Sequence, residues 1–450
     1  MGDEPKSKSA QRSKLGRRKL VWLSVSAVIL ALLGLVFVRN LIDFPVYYAA
    51  GRSLLSGRID LYSPDFARGE VMDFRYPPFF LLVFYPLWLL PYSAAAYVWY
   101  LFSVAEVLGC VAVMRRVVPR PAETPRFWIV TGVCVAVYYV MIFHYGNVHL
   151  LAVLLLFGAL YLHLRGHVPA AALLMSLSIT LKLTPAVMLP YFAVKKQWRF
   201  LLLTSVFTVV LNLAPAGVFG FKTNTDLLKT WFGHVIAEQE FHEANGPINL
   251  SLKGQLRRYL TRVDYRARVE GDTDYRSINL TALDRRQVDN MWIIAALTVS
   301  IGALFLILWA GRRLSARERE PEGVDVGAET IPALECGLMI CLMLFIGPLT
   351  SKIYFIALLW PVASLAGAVA GGASRIKLVT WVLLAVATAN VVLPLLPGRS
   401  TQRLLLVLGV DFYLNCLVMM AVGYALIAHS KARRRDDRQQ IRVRSEARTS

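Results

Sequence analysis

About twelve long apolar segments recur along the chain, and they constrain its fold more than any other feature. Each approaches the roughly 20 residues that a helix needs to cross a bilayer core. Backbone polar groups in lipid must be satisfied within the segment, so each segment is predicted to be a helix. The segments lie near residues 20–39, 77–91, 94–114, 127–144, 147–164, 169–193, 199–221, 291–310, 332–349, 353–371, 376–396 and 404–429.

The composition agrees with a bilayer as the solvent. Of 450 residues, 56% are hydrophobic and 17% are charged, which is more apolar surface than a water-soluble domain could bury. The predicted fold class is therefore an all-α integral membrane protein, a polytopic bundle with external loops at residues 40–76 and 222–290. The second loop is predicted to form a small folded lid or a pair of interfacial helices.

The formal net charge of +20 would also suit a nucleic-acid-binding protein, but its distribution argues against that class. Basic residues gather at the two ends and in a few loops, as the positive-inside rule requires. We therefore expect a cytoplasmic basic tail at residues 1–19, a membrane domain at 20–429 and a charged, disordered cytoplasmic tail at 430–450. Four arginines fall outside on this count: Arg115, Arg116, Arg120 and Arg126. Either they meet anionic head groups or the middle helices are displaced by one.

The first apolar segment follows a basic head, as in a signal peptide. Its apolar run is about 18 residues long, and no small-residue cleavage signal follows it. A retained membrane helix is therefore predicted, and a cleaved leader is the alternative.

Cysteine and histidine spacing indicates no metal site. All five cysteines fall within apolar segments, and no two His or Cys residues share a helical face at ligand spacing. Motifs that bind nucleotide phosphates or dinucleotides are also missing from the sequence. We expect no metal and no cofactor.

A lone acid, Asp43, follows the first segment in the stretch NLIDFPVYYAAGRSLLSGRIDLYSP, residues 40–64. It is predicted to lie where a membrane helix emerges into water, with Tyr47 one turn later. Partial loss of solvent would make the carboxylate a stronger base. The hypothesis is a general base, and the alternative is a helix-flanking acid that faces water.

Two cations stand out. In FRYPPFF, residues 74–80, the prolines hold Arg75 at the membrane face, where its guanidinium suits a phosphate oxygen pair. The alternative is an interfacial anchor. Lys182 lies in the middle of an apolar segment and must meet a polar cavity or an anion. Pairing with Glu106 or Glu335 is the alternative.

Three further stretches place polar residues at predicted helix boundaries or in the second external loop. Each is a candidate part of the site, although loops carry such residues routinely. The stretches FHYGNVHLL, NGPINLSLKGQLRR and GPLTSKIYF contribute Asn147 and His149, then Asn249, Ser251 and Arg257, then Lys352 and Tyr354.

Four stretches, in order, resemble glycosyltransferase family 87: DFPVYYAAGRSLLSGRIDLYSP, FRYPPFFLLVFYPLWLLP, GNVHLLAVLLLFGALYL and SITLKLTPAVMLPYF. The resemblance implies a GT-C type membrane domain over residues 20–429. It also implies an inverting transfer of a hexose, mannose in that family, from a polyprenyl phosphate to a glycolipid or glycan hydroxyl. Such a reaction needs no nucleotide and no essential metal. Its location would be the external face of a bacterial inner membrane.

The resemblance also implies roles for individual residues. Asp43 matches the family's general base, Tyr76 lies in a Tyr-Pro-Pro element and Lys182 opens a Lys-x-Thr-Pro element. The donor phosphate and sugar are assigned to Arg75, Tyr76, Lys182, Lys352 and Tyr354. The acceptor or loop side is assigned to Tyr47, Asn147, His149, Asn249, Ser251 and Arg257.

Two motifs depart from the family pattern. An Asn-Gln-Ser-Leu motif appears here with Leu250 in place of Gln. In GPLTSKIYF, Ile353 and Tyr354 stand where histidine is expected. These departures affect the sugar and acceptor more than the reaction type.

Two other classes compete with an enzyme. A transporter or flippase for a lipid-linked sugar would suit the deep Lys182, but two similar halves are missing from the sequence. A structural membrane protein would not explain Asp43 together with Lys182.

Overall fold

The computed structural model describes residues 21, 24–26, 28–57, 61–62, 74–118, 124–233, 248–262, 278–311, 326–370 and 377–449. Every regular element in these ranges is a helix, which confirms the all-α prediction for the part of the chain described.

The helices follow one another with short connections through most of the chain. The last three residues of the first helix, Val38–Asn40, have 3-10 geometry. Two separate segments are also 3-10 helices, the first at Thr184–Met188 and the second at Lys352–Leu358. The α-helices are α1 (Ser24–Asn40), α2 (Phe44–Leu55), α3 (Phe79–Trp88), α4 (Tyr92–Val117), α5 (Pro125–Tyr145), α6 (His149–Leu164), α7 (Val168–Leu181), α8 (Leu189–Val194), α9 (Trp198–Leu213), α10 (Ala216–Phe219), α11 (Phe221–Trp231), α12 (Leu252–Leu260), α13 (Arg285–Gly311), α14 (Val326–Ile346), α15 (Leu359–Ala370), α16 (Lys377–Leu395), α17 (Arg399–Leu408) and α18 (Val410–Thr449).

Each of the twelve predicted segments corresponds to helical structure, but fewer are long enough to span a bilayer. Among the described residues, seven helices have the length and hydropathy of a membrane span. An eighth span results if α1 and α2, which meet at an angle of 69°, are counted together. The segments predicted at 77–91, 147–164, 169–193 and 332–349 form shorter apolar helices. The chain is a multi-pass membrane protein, and the shorter apolar helices account for the predicted segments that are not among these seven or eight spans.

Two predicted segments contain breaks that the apolar pattern does not reveal. The segment at 169–193 stops being α-helical after Leu181, because the ring of Pro185 would clash with the carbonyl four residues earlier. The segment at 404–429 is divided at Gly409, whose φ of 74° ends α17 before α18 begins.

The charged C-terminal tail was predicted to be disordered, and the structure corrects this. Helix α18 begins in an apolar segment and continues to Thr449. The tail is rich in Arg, which favours helix, and it holds no Pro or Gly to stop it.

The stretch 222–290, predicted to be an external loop, contains two short helices, α11 and α12, on either side of residues 234–247. Residues 234–247 and 263–277 lie outside the described part of the chain. The external placement of this stretch, as a lid or as a pair of interfacial helices, stays a prediction. The cytoplasmic tail predicted at 1–19 also lies outside the described residues.

The described chain divides into two compact units. The first comprises described residues of 1–74, 84–105 and 143–147. Its core is aromatic: Phe44 contacts Phe84 at a centroid distance of 5.6 Å, and Phe84 contacts Trp99 at 5.0 Å. Trp88 is 1% exposed and donates from Nε1 to the Tyr47 carbonyl at 3.2 Å. This core fixes the direction of α2.

The second unit comprises residues 75–83, 106–142 and 148–450 where described. Within it α7 packs against α6 and α9, and α14 packs against α15 and α18. Small residues allow these helices to approach closely. A Cβ at Gly158 would lie 2.9 Å from Leu174, and one at Gly337 would lie 3.1 Å from the Pro361 backbone.

The close approach of α2 and Trp88 yields a stability prediction. A Cβ at Gly51 would overlap the Trp88 indole ring, which is buried and cannot swing away. We expect Gly51→Ala to destabilise the protein by about 1–3 kcal/mol through overpacking. Thermal unfolding in detergent, followed by tryptophan fluorescence, measures this change.

Gly132→Ala is the matched control, because Gly132 also lies within a helix but has open space where the Cβ would stand. Its stability should change by less than about 1 kcal/mol. Equal melting temperatures for the two variants would contradict the tight contact between Gly51 and Trp88.

Candidate active site

Asp43 occupies the N-cap position of α2, with Pro45 in the first turn. Asp is a favoured N-cap residue, yet its carboxylate makes no capping hydrogen bond here. Instead, Oδ2 accepts a hydrogen bond of 2.8 Å from Asn147 Nδ2. The side chain is half-buried. The carboxylate is thus directed by a side-chain amide and is not used to cap its own helix.

The turn that carries Asn147 is fixed to the start of α2 by its backbone. The Asp43 backbone N–H donates to the Tyr145 carbonyl at 2.8 Å, and Trp99 Nε1 donates to the Gly146 carbonyl at 2.8 Å. Gly146 has a φ of 63°, and a Cβ there would lie 3.2 Å from Phe44 Cβ. Glycine is therefore required at the residue that brings Asn147 to the carboxylate.

Tyr47 was predicted to lie on the acceptor side, and the structure places it in the core. It is 1% exposed, and its ring contacts Phe84 at 5.3 Å and Trp99 at 6.3 Å in edge-to-face geometry. Packing of this aromatic cluster accounts for a large ring at this position. Asn147, by contrast, is brought directly to Asp43.

In the second unit, Lys182, Tyr354 and His149 form a second cluster. The Lys182 Nζ lies 3.6 Å from the centroid of the Tyr354 ring, a cation–π contact. The imidazole of His149 is stacked on the same ring at 4.4 Å with an interplanar angle of 25°. His149 is 1% exposed, and the other two side chains are half-buried.

The helix break explains how a lysine is accommodated at this position. Lys182 follows the last residue of α7 and has extended backbone angles, φ −155° and ψ 123°. The C-terminal end of a helix carries partial negative charge, which favours a cation. Lys182 therefore lies at the end of a helix. The apolar pattern had instead indicated a position in the middle of one continuous helix.

The alternative partners proposed for Lys182 are engaged elsewhere or do not pair. Glu335 accepts from Lys195 Nζ at 2.7 Å and from Tyr191 at 3.1 Å. The carboxylate of Glu106 is buried and has no hydrogen-bond partner among the described residues. A pairing of Lys182 with either acid is therefore not present in the described structure.

Lys352 forms an ion pair with an acid that the sequence did not single out. Its Nζ lies 3.5 Å from Asp411 Oδ2, and Tyr138 donates to Asp411 Oδ1 at 3.0 Å. Asp411 is 5% exposed. An acid near the start of the apolar segment 404–429 was the available signal, but its partner depends on tertiary packing.

Arg75 and Tyr76 lie before α3. Trp231 Nε1 donates to the Arg75 carbonyl at 3.0 Å, so the end of α11 holds this backbone. The Tyr76 ring is stacked on Phe80 at 4.7 Å. Both side chains are half-buried.

Asn249 and Ser251 connect the start of α12 to the loop before the second 3-10 helix. Asn249 Nδ2 donates to the Pro348 carbonyl at 3.0 Å, and its Oδ1 accepts from the Thr350 N–H at 3.2 Å. Ser251 Oγ accepts from the Gly254 N–H at 3.2 Å and caps α12. Both residues are fully buried. These contacts fix the motif to the loop at Pro348 and Thr350, and its predicted role in the site stays a prediction.

Arg257, the third loop candidate, is part of a buried charge cluster. Its guanidinium forms a bidentate pair with Asp289, with distances of 2.9 and 2.6 Å. Lys253 Nζ lies 3.8 Å from the same carboxylate. Burial and the neighbouring Arg257 lower the pKa of Lys253, while Asp289 opposes the shift. The pair attaches α12 to α13.

Metal chemistry was not predicted. Among the described residues, no group of three or more His, Cys, Asp or Glu side chains is arranged so that it could hold a metal ion. The chemistry that the described clusters offer is that of one oriented carboxylate and of ammonium and guanidinium groups.

A family model described as glycosyltransferase family 87 matches residues 74–334. Two curated relatives carry the name polyprenol-phosphate-mannose-dependent alpha-(1-2)-phosphatidylinositol pentamannoside mannosyltransferase. The Mycobacterium tuberculosis protein is 31% identical over 188 residues, covering 40% of this chain and 41% of the relative. The Mycolicibacterium smegmatis protein is 33% identical over 168 residues, covering 35% and 39%. The chain thus matches about two fifths of the length of these relatives.

The crystal structure of ArnT from Cupriavidus metallidurans bound to undecaprenyl phosphate is also similar. The match covers 92% of this chain and 77% of that chain, at 16% identity and a TM-score of 0.37. No conclusion rests on a structural similarity of this size.

The ion pair between Lys352 and Asp411 yields a prediction for stability. Lys352→Met would leave the Asp411 carboxylate buried without its counter-charge, so we expect a loss of about 1–3 kcal/mol. The double variant Lys352→Met with Asp411→Asn should lose less than the sum of the single variants, with a coupling of about 0.5–3 kcal/mol. Thermal unfolding in detergent measures all three.

Lys222→Met is the control, because Lys222 is an exposed lysine at the start of α11. Its melting temperature should match that of the wild type. Strictly additive effects of the two changes at Lys352 and Asp411 would refute the ion pair.

Proposed function

Because the chain belongs to glycosyltransferase family 87, whose model matches residues 74–334, we propose that it transfers a hexose from a polyprenyl-phosphate donor. The names of the relatives support mannose as the sugar. The acceptor is a hydroxyl group on a lipid-linked or surface glycan, and the relatives' names favour a mannosylated glycolipid.

The chemistry of such a donor matches the charges available. A sugar phosphate carries a leaving group that is already ionised near neutral pH. The second carboxylic acid that a glycosidase uses to protonate its leaving group is therefore unnecessary. One base must remove the proton of the acceptor hydroxyl, and cations must stabilise the departing phosphate. In-line attack at the anomeric carbon inverts its configuration.

We assign the base to Asp43. The observation that supports this most is the hydrogen bond of 2.8 Å from Asn147 Nδ2 to Asp43 Oδ2, in place of an N-cap bond. The Asn147 amide holds one oxygen of the Asp43 carboxylate and thereby sets the orientation of the carboxylate. An oriented base gains most when its position is set before the substrate binds.

We assign the phosphate to Lys182, with Arg75 as a second cation. Lys352 is a weaker candidate, because Asp411 already neutralises it. Lys182 faces an aromatic ring, which attracts the ammonium without cancelling its charge.

The proposed location is the external face of a bacterial inner membrane, with both termini in the cytoplasm. The support is the clustering of basic residues at the two ends of the sequence. Asp43 would then lie on the outer side, where a lipid-linked sugar presents its phosphate.

A flippase for a lipid-linked sugar is a second candidate, because the interruption of the helix at Lys182 resembles the interrupted helices of transporters. The two functions differ in their product. A flippase moves the donor unchanged, whereas a transferase releases polyprenyl phosphate.

Asp43→Asn tests the proposed base. The new amide oxygen can still accept from Asn147, so the fold should be kept, but an amide is not a base. We expect transfer of radiolabelled mannose from polyprenyl-phosphate-mannose in membranes to fall by roughly 100- to 10,000-fold. The labelled product is separated from the donor by thin-layer chromatography.

Asp226→Asn is the matched control, because Asp226 is an exposed acid on α11. It should transfer at the wild-type rate. Wild-type transfer by Asp43→Asn would remove Asp43 from the mechanism. Wild-type membranes that move the donor without releasing polyprenyl phosphate would favour the flippase.

A further inference from the structure

The geometry around Lys182 points to a role for Tyr354 that the family assignment does not supply. We propose that Tyr354 is a positioning residue: its ring holds the Lys182 ammonium in place for the donor phosphate without touching the donor. This inference rests on the proposed function, because it concerns the same donor.

The first step is the contact itself. Lys182 Nζ lies 3.6 Å from the Tyr354 centroid, well inside the roughly 6 Å limit for a cation–π interaction. Such a contact is stronger when the cation is partly desolvated, as it is for half-buried Lys182. A flexible lysine side chain is thereby restricted to one face of one ring.

The second step is that the ring is itself held on one side. The His149 imidazole is stacked on Tyr354 at 4.4 Å, and His149 is 1% exposed. His149 is the first residue of α6, so its position is set by the helix. The ring that faces Lys182 thus rests on a buried, rigidly placed group.

The third step is that the backbone of Tyr354 is anchored. The Tyr354 N–H donates to the Ser351 carbonyl at 2.9 Å within the second 3-10 helix. Ile353 and Phe355, on either side, are buried at 2% and 0% exposed. Two residues earlier, Lys352 is paired with Asp411. Lys352 therefore anchors the segment, and Tyr354 orients the lysine that the donor needs.

The fourth step concerns charge. An aromatic ring attracts an ammonium group through its quadrupole and does not repel a phosphate, as a carboxylate in the position of the ring would. The ammonium groups of Lys352 and Lys195 instead face the carboxylates of Asp411 and Glu335.

The experiment compares Tyr354→Phe and Tyr354→Leu, each alone and combined with Lys182→Met, in the full-length protein in detergent. A fluorescent polyprenyl phosphate measures binding, and transfer assays give KM and kcat. Tyr354→Phe retains the ring and should keep most of the donor affinity. Tyr354→Leu should weaken binding of the phosphate and raise the donor KM by about tenfold, with a smaller change in kcat.

The double variant is the decisive arm. If Tyr354 acts through Lys182, then Tyr354→Leu should have no further effect on binding once Lys182 is methionine. An equal loss in both backgrounds would show a purely structural role and overturn the inference. Loss of affinity in Tyr354→Phe equal to that in Tyr354→Leu would show that the hydroxyl, and not the ring, is needed, and would also overturn it.

Tyr85→Leu controls for loss of an aromatic ring, because Tyr85 is 44% exposed and lies at the edge of the aromatic core of the first unit, against Trp88. It should leave donor binding unchanged. Failure of the proposed function gives a separate result: wild-type protein would then neither bind polyprenyl phosphate nor transfer the sugar. Wild-type binding and transfer, together with unchanged donor binding in Tyr354→Leu, would refute only the role of Tyr354.

Discussion

A charge inside a membrane protein is tolerated only where the fold supplies a partner, and this constraint organises the second unit. Three half-buried lysines in this unit have two kinds of partner, a carboxylate or an aromatic ring. Lys195 and Lys352 each face a carboxylate, Glu335 and Asp411, and are largely neutralised. The Lys182 ammonium lies over the Tyr354 ring. The fold therefore places a carboxylate beside two of these lysines and an aromatic ring beside the third.

In the first unit the same constraint applies to an acid. Asp43 is half-buried at a helix N-terminus, where the backbone N–H groups could have satisfied it. The turn at Gly146 instead brings a side-chain amide to it, which orients one carboxylate oxygen. The position of this oxygen is thus set by the fold before a substrate binds.

The sequence predicted the helices well, because lipid requires long apolar segments whose pattern is visible without tertiary information. It also identified Asp43 and Lys182, since ionisable residues beside or within such segments are rare. It did not reveal the break after Leu181 or the division at Gly409, although Pro185 and Gly409 were the local signals. The sequence could not predict which side chains these charges contact. Asp411 and Lys352, and likewise Tyr354 and Lys182, are distant in sequence and meet only through packing. The contacts of Asn249 with Pro348 and Thr350 are also between residues distant in sequence, so the sequence could not reveal them.

The departure at position 354 follows the same logic. The resemblance to the family led us to expect histidine near this point, where the chain has Tyr354. With His149 already stacked on the ring, an imidazole at 354 would place a second titratable group beside Lys182. A protonated imidazole there would repel the ammonium, whereas the phenol ring attracts it through its quadrupole. The substitution therefore changes how the cation is held without removing the cation.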